Sequence, residues 1–148
     1  METKEFKKLL KSTFELHGFA RSGNHFYKDS EEIIGIIGLQ KSNFSNGYYI
    51  NVGYFIKQLK SSDNIPRDVD AHVSARFLNN FGEASGDVFE LDLLDDNSKE
   101  KLVKCIDDNV CSFFDNVTSI NALKDLLTRR PSLLYQTKLN AKRFLGYS

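Results

Sequence analysis

Two strand-like runs, 33-IIGIIGLQKS-42 and 48-YYINVGYFIKQL-59, flank the short segment 43-NFSNG-47. Both runs are rich in β-branched and aromatic residues, which favour strands. The Asn-Gly pair at the end of the connecting segment is typical of a tight turn between two strands. The stretch therefore predicts an antiparallel hairpin, and the rest of the fold is inferred outward from it.

The second strand of this hairpin predicts two different sheet faces. Its even positions from Tyr48 to Ile56 are all apolar, whereas its odd positions include Asn51, Gly53 and Lys57. Side chains alternate across a strand, so the even positions should face the core. The odd positions should then lie on the opposite face of the sheet.

The segments on either side of the hairpin extend the sheet and supply a first helix. Apolar residues recur at helical spacing over residues 3–17, and Gly18 is a natural C-terminal stop. A short strand is predicted at 25–28, and a further main strand at 71–79. The polar stretch 60–70 contains a proline and is predicted to be a surface loop.

The last third of the chain is mainly helical in pattern. Residues 87–91 predict a short strand or an extended connection, and a long helix is predicted to begin at Asn97 with a capping box to Glu100. Ser119 is a candidate N-cap for a shorter helix. Pro131 then precedes a final helical segment.

This order of elements predicts the fold class. Strands joined by short turns indicate an antiparallel sheet, and helices grouped at the two ends of the chain indicate an α+β fold. We therefore predict an antiparallel sheet of four to five strands, with an N-terminal helix and C-terminal helices packed on one face. At 148 residues the chain fits a single globular domain, 1–148.

Polar side chains from three strands should collect on the sheet face that the helices leave uncovered, called here the polar face. These candidate binding residues are Gln40, Ser42, Tyr49, Asn51, His72, Ser74 and Arg76. Three strand glycines, Gly35, Gly38 and Gly53, add no side-chain bulk, so a partner or another backbone can approach the sheet closely there. The alternative is a polar face that simply meets water, as in many antiparallel sheets.

Composition and charge exclude several classes of protein. Lys+Arg and Asp+Glu both number 20, so no bulk charge indicates nucleic acid or an anionic membrane. The N-terminus lacks the apolar core of a signal peptide, and no apolar run approaches the length of a membrane span. Cys105 and Cys111 lie six residues apart in one predicted helix, beyond disulfide reach, so we expect buried or partly buried thiols. A cytoplasmic location is the expectation.

The usual motifs of catalysis and cofactor binding are not found. The three histidines fall on different predicted elements and the two cysteines diverge, so the sequence predicts no metal site. It has no phosphate-binding loop of the Walker or dinucleotide type. We therefore expect no catalytic residues and no cofactor. Asn51, His72, Ser74 and Arg76 form the one enzyme-like group, but strand positions i, i+2 and i+4 are too far apart to surround one reacting atom.

A series of short motifs, in a fixed order, resembles a family of mostly bacterial proteins known as domain of unknown function 4304. The motifs are His17-Gly18-Phe19, Phe26-Tyr27, Leu39-Gln40-Lys41-Ser42, Tyr49-Ile50-Asn51-Val52-Gly53, Arg76-Phe77 and 111-CSFFDNV-117. The resemblance covers most of residues 3–127 and leaves a C-terminal helical extension at 131–146. It implies the fold and its boundaries. By analogy with small bacterial domains that act as immunity proteins beside toxin genes, it also suggests a toxin-neutralising role.

These observations favour a non-catalytic module that binds another protein through the polar face, with the acidic segment 87–96 steering a basic partner. The competing hypothesis is a small-ligand-binding protein or an enzyme that uses the polar face in a pocket closed by the 60–70 loop. A groove around these residues would favour the small ligand, and a flat patch would favour the protein partner. A homodimer that buries the polar face is a third alternative, whereas nucleic acid and membrane partners are not expected.

Overall fold

Over residues 1–79 and 86–147, which the computed structural model describes, six strands form one antiparallel sheet. The strands are β1 (Ala20–Ser22), β2 (His25–Asp29), β3 (Ile33–Lys41), β4 (Gly47–Ile56), β5 (Val73–Arg76) and β6 (Val88–Glu90). β1 to β4 are neighbours in sequence order. β5 and β6 both pair with the other edge of β4, at Asn51↔Arg76 and at Tyr49↔Val88. The predicted α+β class and antiparallel sheet are confirmed.

Helices precede and follow the sheet. They are α1 (Thr3–Leu16), α2 (Lys99–Phe114), α3 (Ile120–Arg129) and α4 (Leu139–Phe144), and a 3₁₀ turn at Pro131–Gln136 joins the last two. α1 ends as predicted, because Gly18 adopts a φ of 88°, which a side chain would disfavour. The predicted Ser119 cap is also confirmed, since its Oγ accepts a hydrogen bond of 3.1 Å from the Ala122 amide.

The start of α2 differs from the prediction of a box between Asn97 and Glu100. Asp95 caps a preceding 3₁₀ turn instead, where its Oδ1 accepts from the amides of Asn97 and Ser98 at 2.9 and 3.1 Å. The carboxylate of Asp95 thus accepts the first free amides of this segment, and Asp95 rather than Asn97 is the capping residue. The regular helix begins only at Lys99.

The connection between β3 and β4 also differs from the predicted tight Asn-Gly turn. The Ser42 amide donates to the Gly47 carbonyl at 2.9 Å, so the four residues 43–46 form the loop and Gly47 already belongs to β4. Glycine is required there because β6 lies so close. A Cβ on Gly47 would lie 2.9 Å from the Phe89 carbonyl oxygen.

The core lies between the sheet and the helices, and buried leucines of α3 belong to it together with residues of α1 and α2. The even positions of β4, from Tyr48 to Ile56, are each at most 7% exposed, as the alternation predicted. α1 contacts this core face through Phe6, which stacks on Tyr48 at 5.6 Å. α2 contacts it through Phe114, whose ring centroid lies 5.3 Å from that of Tyr54. Aromatic contacts therefore fix both helices against the same face of the sheet.

The chain itself covers half of the polar face. Residues 57–72, called here the crossing segment, run over it, and the Tyr27 hydroxyl donates to the Pro66 carbonyl at 2.7 Å. The part of this sheet face that lies beneath the crossing segment carries apolar side chains. Ile36 is fully buried there, and Phe55 is only 7% exposed. The predicted surface loop at 60–70 is thus in part a cover for the sheet. The predicted strand 71–79 is correspondingly shorter, and only Val73–Arg76 is regular.

No helix in the described ranges has both the length and the apolar character that crossing a membrane requires. Cys105 and Cys111 are both in the thiol form, as predicted. Cys105 is partly buried, but Cys111 is exposed. The expectation that both thiols are at least partly buried is wrong for Cys111.

Candidate functional site

Asn51 is the centre of a hydrogen-bonded network on the open half of the polar face. Its Oδ1 accepts from Arg76 Nε at 2.9 Å, and its Nδ2 donates to Gln40 Oε1 and to Asp68 Oδ2, both at 2.9 Å. Strand register places two of these partners, because Asn51 lies opposite Arg76 on one side and opposite Gly38, two residues before Gln40, on the other. Asp68 reaches Asn51 from the crossing segment.

Arg76 is held by four different neighbours. Besides Asn51, its Nη1 donates to Asp87 at 3.1 Å and its Nη2 to Gln40 at 3.3 Å. The guanidinium carbon also lies 4.2 Å from the centroid of the Tyr49 ring, a cation–π contact. These contacts fix the orientation of the guanidinium, although the side chain remains 40% exposed.

Asp68 links the network to a histidine on β2. His25 Nε2 lies 2.9 Å from Asp68 Oδ1. Burial alone would raise the pKa of Asp68, but the hydrogen bonds from His25 and Asn51 outweigh it and lower that pKa. An ionised carboxylate can only accept hydrogen bonds, so the Nε2 atom of His25 carries a proton. The carboxylate of Asp68 is therefore stabilised by two hydrogen-bond donors within the network.

A cleft of about 670 Å³ opens beside this network. Gln40, Asn51, Asp68 and Arg76 form one wall, and residues after α3 form the other, among them Arg130, Ser132 and Gln136. Ser74 joins the two walls, since its Oγ lies 3.4 Å from the Gln136 carbonyl oxygen. The cleft thus lies between the polar face and the C-terminal segment.

Arg130 contributes a second guanidinium to the cleft. Its Cζ lies 5.6 Å from the centroid of the Phe113 ring, and the residue is exposed. Over residues 1–79 and 86–147, the structure has no carboxylate within ion-pair distance of it. Arg130 therefore presents a positive charge that the described protein does not neutralise.

The structure brings most of the predicted site residues together. Gln40, Asn51, Ser74 and Arg76 line the cleft, and Tyr49 supports the guanidinium of Arg76. Ser42 and His72 lie elsewhere. Ser42 is 6% exposed and its Oγ accepts from the Phe44 amide at 3.2 Å, which stabilises the β3–β4 connection.

His72 is a structural residue in the folded chain. It is 4% exposed, and its Nδ1 accepts a hydrogen bond of 2.9 Å from the Ile56 amide. Burial, with a smaller contribution from the charge of Lys138, lowers the pKa of His72 to about 4. The ring is therefore neutral at physiological pH and is covered by protein.

Sequence reasoning missed His25, Asp68 and Arg130. Strand alternation could have identified His25, because Phe26 faces the core and its neighbour must face the other way. Asp68 and Arg130 gave no such signal, since each lies in an irregular segment or at a helix end. Only long-range packing places them beside Asn51.

The cleft is lined by charged and neutral polar side chains. Its charged residues are two arginines and two aspartates, and its neutral polar groups are amides and hydroxyls. The described lining residues include no His, Cys or Lys. The arrangement is suited to orienting a polar molecule by hydrogen bonds.

Comparison with known proteins identifies the family. The family described as Domain of unknown function (DUF4304) matches residues 10–116, and the chain belongs to it. No curated protein and no solved structure matches the chain. The match includes Asn51, Asp68 and Arg76 but ends before α3, so the wall that carries Arg130 lies outside it.

Proposed function

We propose that this member of the DUF4304 family is a binding protein that holds a small polar ligand with an anionic group. The observation that carries the proposal is the cleft of about 670 Å³, in which the network around Asn51 faces Arg130. Ligand sites in proteins are typically about 300–1,000 Å³ and place a few polar groups at fixed positions. A groove rather than a flat patch surrounds the predicted residues, which favours the small-ligand hypothesis.

The charges in the cleft support an anionic ligand. Asp68 accepts hydrogen bonds from His25 and Asn51, and Asp87 pairs with Arg76. Arg130 has no such partner among the described residues, so the remaining unpaired charge is positive. A guanidinium binds carboxylates and phosphates through two parallel hydrogen bonds. Arg130 would therefore bind the anionic group while Gln40, Ser74 and Ser132 select the rest of the ligand.

A protein partner is the second candidate, favoured by apolar side chains at the rim of the cleft. Val69 is 65% exposed and Leu78 is 55% exposed, and both line the cleft. Exposed apolar groups beside a polar centre are common at protein interfaces. An acidic segment of another protein, including a toxin in the immunity-like hypothesis, would meet Arg130 in the same way.

A cytoplasmic location belongs to the same proposal. The separation of Cys105 and Cys111 on α2 is consistent with a reducing compartment, because the two thiols cannot join.

The test compares two neighbouring arginines. A panel of small carboxylates and phosphates is titrated into ¹⁵N-labelled wild type, Arg130→Gln and Arg129→Gln, and amide shifts are recorded. Arg129 is exposed and lies outside the cleft lining, so it is the matched control. A ligand that shifts cleft residues should bind at least about tenfold more weakly to Arg130→Gln, because a charge-assisted hydrogen bond is lost. It should bind Arg129→Gln as it binds wild type.

Equal weakening in the two variants, or shifts outside the cleft, would contradict the proposal. The same three proteins serve as affinity bait in a cell lysate. A partner retained by wild type and Arg129→Gln but lost by Arg130→Gln, with no small ligand bound, would favour the protein-binding candidate.

A further inference from the structure

Three potential metal ligands converge where α1 ends against α2, on the side of the molecule remote from the network of Asn51. They are a ring nitrogen of His17, a carboxylate oxygen of Asp107 and the sulfur of Cys111, all within 4.8 Å of one another. His17 Nε2 is hydrogen-bonded to Asp107 Oδ1, and His17 Nδ1 lies 3.4 Å from Asp115 Oδ1. The two ring nitrogens therefore face two different carboxylates.

The sequence positions these groups through ordinary helix geometry. Asp107 and Cys111 are four residues apart on α2, so they lie on one side of the helix, one turn apart. Asp115 is the C-cap of the same helix, a further turn along. His17 is the C-cap of α1, where Gly18 ends the helix.

The packing beneath this cluster fixes the distance between the two helix ends. Phe19, which follows the end of α1, packs edge-on against Phe114 of α2 at 4.9 Å. Both rings are buried, with 3% and 1% exposure. The His17 side chain is itself only 14% exposed, whereas Asp107 and Cys111 open towards solvent. The cluster is therefore preorganised on one side and accessible on the other.

We propose that His17, Asp107 and Cys111 bind a divalent transition-metal ion of the zinc class, with Asp115 orienting the imidazole. Nitrogen, carboxylate oxygen and thiolate sulfur are the ligands that zinc prefers, at about 2.0–2.3 Å. Tetrahedral binding would place the ligand atoms roughly 3.5 Å apart. His17 Nε2 and Asp107 Oδ1, which are hydrogen-bonded at 2.5 Å, would separate by about 1 Å, and the exposed Cys111 side chain can move its sulfur towards them. His17 Nε2 would bind the ion, and Nδ1–H would donate to Asp115, as metal-bound histidines commonly do.

The electrostatics of the cluster favour a cation. The carboxylates of Asp107 and Asp115 lie against His17 and give the cluster a negative potential, which attracts a divalent ion. The thiol of Cys111 releases its proton when the ion binds the sulfur. Three protein ligands leave a fourth position for water.

This site was not predicted from the sequence, because the search for metal ligands compared the positions of histidines and cysteines alone. The three histidines do lie on separate elements, and the two cysteines do diverge. The carboxylate of Asp107 on α2 completes the ligand set. Its placement beside His17 depends on the contact between α1 and α2.

Cobalt(II) provides the direct test, since it binds zinc sites and shows a charge-transfer absorption band when a thiolate binds it. Metal-free full-length protein is titrated with Co²⁺ as wild type, Cys111→Ser and Cys105→Ser. Cys105 lies on the same helix outside the cluster and is the matched control. We expect a band that saturates at one equivalent in wild type and Cys105→Ser but is not seen in Cys111→Ser.

Zinc titration by calorimetry then tests the positioning residue. Asp115→Asn should weaken Zn²⁺ binding by about 10–100-fold and should leave the cobalt band in place, because the sulfur still binds. Far-ultraviolet circular dichroism confirms that each variant is folded. A wild type that binds neither metal, or a cobalt band that Cys111→Ser retains, would overturn the proposal and leave His17 as an ion-pairing residue between two carboxylates.

Discussion

The two faces of the sheet are made by the same alternation along β3 and β4, yet they are stabilised in different ways. On the core face, Tyr54 stacks on Phe113 of α2 and also contacts the tilted ring of Phe114, and its hydroxyl donates to the Phe113 carbonyl at 2.6 Å. On the polar face, Asn51 makes three hydrogen bonds at 2.9 Å, one of them to the crossing segment. One face is closed by regular helices, and the other is half closed by irregular chain.

This difference indicates which face of the sheet can carry a binding site. Apolar packing is non-directional, so the core face tolerates only side chains that fill the space. Hydrogen bonds are directional, so each member of the polar network fixes the orientation of the next. Arg76 is therefore held in one orientation while its side chain stays 40% exposed. Substitutions on the two faces should thus change the free energy of unfolding by different amounts, and different measurements should report them.

The largest effect is expected on the core face. Phe114 is 1% exposed and lies within 5.3 Å, centroid to centroid, of Phe19, Tyr54 and Phe113. Phe114→Ala should lower the free energy of unfolding by about 3–5 kcal/mol, because it leaves a cavity at the junction of two helices and the sheet. Urea unfolding measures the change. Phe44→Ala, at a side chain that is 95% exposed, is the control and should change stability little.

A loss below about 1 kcal/mol for Phe114→Ala would show that the core face rearranges to fill the space. The two faces would then differ less in rigidity than their contacts indicate.

An intermediate effect is expected where the crossing segment meets the sheet. A Cβ on Gly38 would lie 2.6 Å from Asp68 Cγ and 3.0 Å from Asp68 Cβ, so the whole side chain would have to move. Gly38→Ala should therefore cost about 1–3 kcal/mol and separate Asp68 from His25 and Asn51. Urea unfolding and the amide shifts of Asn51 report the two effects. Gly86→Ala is the control, since nothing lies within 4 Å of its Cβ position.

If Gly38→Ala and Gly86→Ala had the same free energy of unfolding, Asp68 would be free to move away from the sheet. The crossing segment would then not be a fixed wall of the cleft.

The smallest effect depends on pH and tests the covered half of the polar face. The pKa of His72 is lowered from 6.5 to about 4 in the folded state, so between these values the unfolded chain binds the proton more readily. Stability from this group is therefore present above about pH 6.5 and is lost as the pH falls towards 4. His72→Asn keeps an acceptor for the Ile56 amide and cannot titrate. The wild type should lose about 1–2 kcal/mol more than this variant over that range.

Urea unfolding at several pH values between 4 and 7 measures the difference. If the free energies of unfolding of wild type and His72→Asn changed in parallel with pH, water would reach His72. The crossing segment would then not seal this half of the face.

Regular patterns in the sequence predicted the regular parts of the structure. The alternation from Tyr48 to Ile56 and the helical spacing before Gly18 depend on residues a few positions apart, and both are confirmed. Parity along the strands also predicted that Gln40, Asn51 and Arg76 share a face. The alternation along a strand does not show which part of a sheet face is covered by another segment of the chain.

The candidate site was therefore only partly predictable. His72 has the same parity as Arg76 but is buried at the end of the crossing segment, whose course has no periodic signal. Asp68 occupies the space above Gly38, a contact between positions 30 residues apart. Arg130 comes from the turn after α3. Each of these placements is set by packing between distant segments, which a local pattern does not encode.

The edge of β4 that pairs with β5 and β6 has an evolutionary consequence. β5 ends at Arg76 and β6 begins at Val88, so in the sequence eleven positions, 77–87, connect two strands that pair with the same edge. Natural selection can lengthen this connection at small cost, because loop-closure entropy grows slowly with length. An insertion within β4 would instead move every following side chain to the other face. Arg76 and Asp87 stand at the two ends of this connection and both line the cleft, so a change in the length of the connection would alter the cleft and leave the pairing within β3 and β4 as it is.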